Sequence, residues 1–175
     1  MGSIQRFGSA INCFTVLAGL RLSGETCENS MFVLDGDVYK TQEEHRQRLE
    51  KVLTGDHESA KLLRESSLAK IKCLNLPENT KPEKYIHSII ISLEDTGDSE
   101  RNEIIEIAKQ IIAVDNSHNF VDDVIRRLDL SRNIGLSKIV DLISSTHEWT
   151  DYVSDINDWL TLKKVLVLET TSQQG

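Results

Sequence analysis

Aromatic side chains are scarce in this chain, at 5 % of residues, and that excludes a core built on large flat rings. Hydrophobic residues make up 39 % of 175. The interior is therefore a modest aliphatic one, sized for one domain or for one domain with a helical appendage. Long apolar runs are missing as well. None approaches the roughly 20 residues that cross a bilayer. Met1 to Arg6 leads into no apolar segment with a cleavage site, so neither a membrane span nor a signal peptide is expected. Positive charge is in deficit: 20 Lys and Arg face 28 Asp and Glu, a net −8. No overall basic field draws in nucleic acid, which argues against a dedicated DNA-binding module. It argues less against a nuclease, whose metal ions supply positive charge locally.

Metal-binding and nucleotide-binding signatures are equally thin. Cys13, Cys27 and Cys73 are odd in number, widely spaced and form no CxxC pair, which excludes the usual zinc spacings. Cys13 and Cys73 lie in apolar contexts and read as reduced core residues, so a cytoplasmic chain fits better than a secreted one. His45, His57, His87, His118 and His147 form no HxxxH or HxH pair, and His87, set among apolar residues, reads as a partly buried, satisfied histidine. There is no GxxxxGK[ST] loop, no GxGxxG and no nucleophile elbow.

What the chain does have is Met31-Phe32-Val33-Leu34-Asp35-Gly36-Asp37-Val38. An apolar run ends abruptly in two aspartates around one glycine. Such a run suits a strand buried on both faces of a parallel sheet. The aspartates would then sit at the strand's carboxyl end, where open α/β sheets bind ligands. Two carboxylates crowded there repel one another unless a cation lies between them, and oxygen ligands suit Mg²⁺ or Mn²⁺. The plain alternative is a strand followed by an Asp-Gly turn.

Around this motif the pattern alternates. Ile4 to Phe7 reads as a short strand closed by Gly8-Ser9. Ala10 to Leu22 is a helix with Ser9 as N-cap. Lys40 to Leu53 is a helix with Leu49, Val52 and Leu53 inward, and Glu58 to Lys70 another, carrying Leu62, Leu63 and Leu68. Ile71 to Leu76 is a second short strand after the one at 31–35. Strands alternating with helices predict a small, mostly parallel α/β sheet. If the first two strands are parallel neighbours, Gly8, Ser9 and the Asp-Gly-Asp turn open on one sheet edge, with Ser9 placed to donate to a phosphate; a simple helix cap is the competing reading. The carboxyl half is helical. Thr80-Lys81-Pro82-Glu83 starts a helix with Tyr85, Ile86, Ile89, Ile90 and Leu93 buried. Ile104, Ile105, Ala108, Ile111 and Ile112 follow at helical spacing. Phe120 to Leu128, Leu136 to Ser144 and Tyr152 to Leu162 are each read as helices. Asp122-Asp123 reads as an exposed first helical turn and Lys163-Lys164 as a solvated helix end. Val165 to Leu168 is open between helix end and short strand, and Thr170 to Gly175 reads as a frayed polar tail.

In order and spacing, Phe7-Gly8-Ser9, Phe32-Val33-Leu34-Asp35-Gly36-Asp37 and Asn75-Leu76-Pro77 leading to Pro82-Glu83-Lys84-Tyr85-Ile86 resemble the TOPRIM domain. The likeness is to TOPRIM domains joined to ABC-type ATPases, as in the overcoming-lysogenization-defect nucleases. It covers roughly residues 4 to 95. It implies a partial TOPRIM-like α/β domain over 1–95 and a helical extension over 96–175. It also implies Mg²⁺ or Mn²⁺ held by Asp35 and Asp37, cleavage of DNA phosphodiesters, an ATPase module or partner chain, and a part in anti-phage defence. Gly8 and Ser9 would border the phosphate path. Lys163 or Lys164 would match a lysine that some family members place late in the chain.

The family's first strand, with its catalytic glutamate, is expected before residue 4, where no counterpart is read, and Glu25 and Glu28 lie in the wrong interval to replace it. The expectation is a carboxyl-terminal piece of a longer nuclease, inactive alone and prone to form a homodimer through an exposed sheet edge. Two other readings stand beside it. A haloacid-dehalogenase-like phosphatase also puts two aspartates after an apolar strand, the first a nucleophile and the second a general acid/base. A TOPRIM remnant would serve only as an interaction module.

Overall fold

The computed structural model describes residues 4–6, 8–78, 80–112 and 119–162. Among them are nine helices and one two-stranded parallel sheet, so the chain is mixed α/β but mostly helical. By packing it divides into two compact units. The first is Met1–Leu74 with Ser154–Gly175; the second is Asn75–Val153, a single segment inserted between the two parts of the first. The two ends of this insertion are tied together. The Asn75 N–H donates to the Tyr152 carbonyl at 3.1 Å, and Asn75 Nδ2 donates to the Asp151 carbonyl at 3.0 Å. The packing division falls at residue 75, because the helix from Pro82 packs with the helices that follow it.

The first unit contains α1 (Ala10–Leu22), β1 (Phe32–Leu34), α2 (Gln42–Val52), α3 (Glu58–Leu68), β2 (Ile71–Cys73) and α9 (154–162). Ser9 caps α1, its side-chain oxygen accepting from the Asn12 N–H at 3.4 Å. Thr41 and Glu44 form a reciprocal capping box at the start of α2, which satisfies two backbone donors that a helix start otherwise leaves open. Phe14 and Leu17 from α1 and Leu49 from α2 are fully buried and pack with Phe32, Leu34 and Ile71 from the strands. Two arginines fasten the connections. Arg21 donates to the carbonyls of Glu25 and Thr26 and to Ser66 Oγ at 2.6–2.9 Å. Arg64 donates to the carbonyls of Leu53 and Gly55 at 2.8 and 2.7 Å. Gly55, with φ +117, turns the chain between α2 and α3, and a side chain there would meet the His57 ring at 2.9 Å.

The second unit contains α4 (Pro82–Ser92), α5 (Ser99–Gln110), α6 (Phe120–Arg127), α7 (Arg132–Ile143) and α8 (His147–Tyr152). Ile89, Ile90, Ile104, Ile105, Ala108, Val124 and Ile143 form its interior, the aliphatic core that the scarcity of aromatics requires. Pro82 opens α4, and Asp98 caps α5 by accepting from the N–H groups of Glu100 and Arg101. α6 is capped from another helix: Glu83 Oε2 accepts from the Phe120 N–H at 2.6 Å. His87 is a partly buried, satisfied histidine, with Nε2 3.1 Å from the Ala108 carbonyl and its ring edge-on to Phe120. Asp122 and Asp123 lie in the first turn of α6, paired with Arg132 and Arg126.

Several expectations need correction. Residues 4–6 form no strand, and Ile4 is 96 % exposed: an apolar residue with no sheet beside it has nothing to pair with. The described sheet therefore has two strands rather than three. β1 is buried on one face only, because the helices cover one side and leave Val33 39 % exposed. Leu62 points outward from α3, at 63 % exposure, and Ala60 and Ser67 take the inner positions. The helix expected over Tyr152 to Leu162 begins at residue 154 as α9, because Tyr152 closes the unexpected α8 and Val153 is a turn, the point where the chain returns to the first unit. Phe7, Lys163, Lys164 and Val165 to Leu168 lie outside the described residues, as does the tail from Thr170.

The packing predicts opposite outcomes for one substitution at two helical glycines. At Gly135 in α7 an added Cβ would lie 2.5 Å from Ile125 Cγ1, and Ile125 is itself buried. Overpacking of this kind costs about 1–3 kcal/mol, which exceeds the gain of about 1 kcal/mol in helix propensity. At Gly19 in α1 nothing lies within 4 Å of the added carbon, so only the propensity gain remains. Gly135→Ala is expected to lower the urea midpoint and Gly19→Ala to raise it. Equal shifts of the same sign would show that the α6–α7 crossing is not closely packed.

Candidate functional site

The strands set the geometry. They run parallel with Phe32 opposite Ile71 and Leu34 opposite Cys73. The Leu74 N–H donates to the Leu34 carbonyl at 2.9 Å as the last rung. The chain therefore leaves both strands at the same end, and Asp35-Gly36-Asp37 is the turn that leaves β1. Gly36 is buried with φ +87, a backbone state open to glycine at little cost. Asp35 is exposed and Asp37 half-buried, so both carboxylates stay within reach of solvent ions.

The loop that follows is held by Tyr39, whose φ of 54 lies in the left-handed region. For a residue with a side chain this costs about 1–2 kcal/mol and persists only where neighbours enforce it. They do so here. The buried His45 lies with Nε2 2.5 Å from the Tyr39 carbonyl. A carbonyl only accepts, so this nitrogen carries the proton. Cys73 Sγ is 4.0 Å from the same carbonyl. The Tyr39 ring meets Phe14 edge-on at 5.4 Å, and the Arg48 guanidinium stands 5.2 Å from its centroid. Directly beyond, Thr41 donates to Glu44 through its backbone N–H at 2.8 Å. That bond and the Thr41 hydroxyl hold the Glu44 carboxyl below its ordinary range.

Cys73 reports the charge at this edge. Its thiol is pushed up to about 11, first by burial and then by Asp35 and Asp155, with Lys40 opposing and Asp37 adding a little. Thus Asp35, Asp37, Lys40 and Asp155, the last from α9, all act on one sulfur at the end of β2. The direction of α1 brings Ser9 towards the same end. Phe14, near its start, packs on Tyr39, whereas Arg21, near its end, reaches Ser66 at the end of α3, just before β2 begins.

Of the residues singled out from sequence, Asp35 and Asp37 share one turn. Ser9 serves as the α1 cap, with Gly8 beside it at φ +78. No strand among residues 4–6 leads into that turn. Lys163 and Lys164 lie outside the described residues. Tyr39, His45, Arg48, Cys73 and Asp155 carry no signal of their own in the sequence; only the tertiary fold brings them to the edge. The carboxylate pair offers two hard oxygen donors. Among the described residues no group of three or more His, Cys, Asp or Glu is gathered closely enough to hold an ion. A Mg²⁺ ion commonly takes only one or two protein carboxylates and fills the rest of its shell with waters and substrate phosphates. No helix among the described residues is long and apolar enough to cross a membrane. Compared with known families, curated proteins and solved structures, the chain matches none.

The Cys73 thiol gives a direct test of the edge. Removing a neighbouring negative charge lowers its pKa, and each unit of fall gives about tenfold more thiolate, the reactive form. Asp35→Asn is therefore expected to speed alkylation of Cys73 by iodoacetamide at pH 9 several-fold. Cys13, raised to about 11 by burial alone, is expected to stay unchanged as the internal control. Peptide mass spectrometry reads both sites. An unchanged Cys73 rate would show that the turn does not face β2's carboxyl end.

Proposed function

We propose that the Asp35-Gly36-Asp37 turn holds Mg²⁺ or Mn²⁺ for the hydrolysis of DNA phosphodiesters, the chain being one part of a nuclease of the ATPase–TOPRIM type. The observation that supports this reading is the pair of carboxylates on a buried-glycine turn at the shared carboxyl end of two parallel strands, the position where open α/β sheets take ligands. A divalent ion there stabilises charge on the transferring phosphoryl oxygens and lowers the pKa of the attacking water. Asp35 and Asp37 hold it, and Gly36 lets the backbone turn without crowding the site. The Tyr39 clamp fixes the backbone just after the turn, and Ser9, at the start of α1, borders the phosphate path together with Gly8. With two protein carboxylates the site is weak. On this reading an ATPase module or a second copy of the chain completes it, and the 175 residues alone cleave plasmid DNA poorly or not at all.

Calorimetry with Mn²⁺ tests the site: the wild type is expected to bind weakly and Asp37→Ala to lose at least tenfold in affinity. Equal binding by the two would remove the turn from consideration. A second measurement separates nuclease from phosphatase. A phosphatase of the dehalogenase type forms an aspartyl-phosphate, so beryllium fluoride with Mg²⁺ would stabilise it against heat. No such shift is expected here. A saturable rise in Tm that Asp35→Asn abolishes would overturn the nuclease reading in favour of the phosphatase.

A further inference from the structure

Arg48 is a cation of the Tyr39 clamp whose donors are taken by no oxygen of the described residues. Its guanidinium is stacked over the Tyr39 ring, and its Nε is buried with no hydrogen-bond partner. Among the described residues Arg48 makes no hydrogen bond and no ion pair. Acidic side chains of α2 and α3 are engaged elsewhere. Glu44, one helical turn earlier, closes the Thr41 cap, and Glu43 and Glu65 both pair with Arg46. The other arginine with an unpartnered buried Nε, Arg21, donates through its remaining nitrogens to three oxygens that tie the fold together. Arg48 donates to no oxygen of the described residues; its one contact of this kind is with the face of the Tyr39 ring.

A charged residue on a merely solvated helix face keeps its polar atoms in water. Arg48 does not: part of its guanidinium is desolvated, and that is unfavourable unless an anion compensates. Stacking on an aromatic face also holds the fork of donors in a fixed orientation, the arrangement suited to phosphate oxygens. The surrounding field does not forbid an anion. The first unit carries 12 Lys and Arg against 13 Asp and Glu, whereas the second carries 8 against 15. Nearly all of the chain's acidity thus belongs to residues 75–153. The ring that carries the guanidinium belongs to the loop leaving the carboxylate turn, with the Cα atoms of Asp37 and Tyr39 at most about 7 Å apart.

We propose that Arg48 is a phosphate-binding residue, taking an oxygen of a DNA phosphate next to the one held at Asp35 and Asp37. The substrate class rests on the nuclease reading; the anion site itself rests on Arg48 and Tyr39.

The test uses the whole chain and a fluorescein-labelled duplex of about 20 base pairs, with anisotropy measured in Mg²⁺ over a series of salt concentrations. Removing one protein–phosphate interaction lowers the slope of log K against log salt by about one. Arg48→Gln is expected to weaken binding about tenfold and to lower the slope by about one, and Arg48→Lys to restore the slope. If Arg48→Gln leaves the slope unchanged, or lowers Tm without altering the slope, Arg48 only clamps the loop and the proposal fails. It fails also if the wild type does not bind the duplex at low salt. Calorimetry with Mn²⁺ on Arg48→Gln separates this proposal from the metal reading. Retained Mn²⁺ binding with a reduced salt slope supports the phosphate role. Loss of Mn²⁺ binding in that variant would mean that it disturbs the carboxylate turn, and would overturn the proposal. Absence of Mn²⁺ binding in the wild type would defeat the metal reading, while the salt slope still decides Arg48.

Discussion

Leu34 opposite Cys73, in a parallel pair, sets the layout of the first unit. Parallel neighbours cannot be joined by a tight turn and need a crossover of a dozen or more residues. Here α2 and α3 are that crossover. Arg64 closes the link between them, and Arg21 ties the end of α1 to the end of α3. Because the strands end together, whatever leaves them is gathered on one edge: the Asp-Gly-Asp turn from β1 and Cys73 from β2. An antiparallel pairing of the same two segments would have put Cys73 at the opposite end from Asp35. It would also have deprived the Tyr39 carbonyl of one of its two donors.

How much of this the sequence discloses depends on the range of the forces involved. Helix starts are local and legible: Ser9 before α1 and Lys81-Pro82 before α4. The apolar spacing of Ile89, Ile90, Ile104, Ile105 and Ala108 likewise marks a buried helical face, and all five are buried. Asp35 and Asp37 stand out because they are close in sequence. The Tyr39 clamp is different. Phe14, His45, Arg48 and Cys73 come from α1, α2 and β2, and no pattern in the chain announces that they meet. The strand expected at Ile4 fails for a related reason: a strand exists only through its neighbour, and Ile4 has none. Val33 belongs with it. A run of apolar residues cannot say whether a sheet is covered on one face or two.

The helix break at Val153 shows a further limit. Tyr152 is buried with the second unit, its ring edge-on to Tyr85 at 5.5 Å, while residues from Ser154 onward belong to the first. Helical periodicity runs through such a point without a signal, because both sides are good helix formers. What stops the helix is the change in what each side packs against. The pairing of Asn75 with Asp151 and Tyr152 is the complementary fact, since it brings entry and exit of the inserted segment together. An insertion whose ends meet can be accommodated without disturbing the register of its host.

The same division bears on how an acidic chain handles a polyanion. With charge averaged over all 175 residues the chain repels phosphate, but the average is dominated by residues 75–153. In the first unit the charges nearly balance, and local placement decides. Two carboxylates on a turn repel a phosphate until a divalent ion neutralises them. A stacked, unpaired guanidinium attracts one with or without the ion. On the proposed reading these are linked equilibria: a phosphate that supplies an oxygen to the ion and another to Arg48 tightens the ion, and the ion tightens the phosphate by the same factor. A carboxylate pair that holds an ion only weakly by itself then fills when substrate arrives. That coupling makes a two-carboxylate edge chemically reasonable, because the substrate itself completes the shell that the protein leaves open.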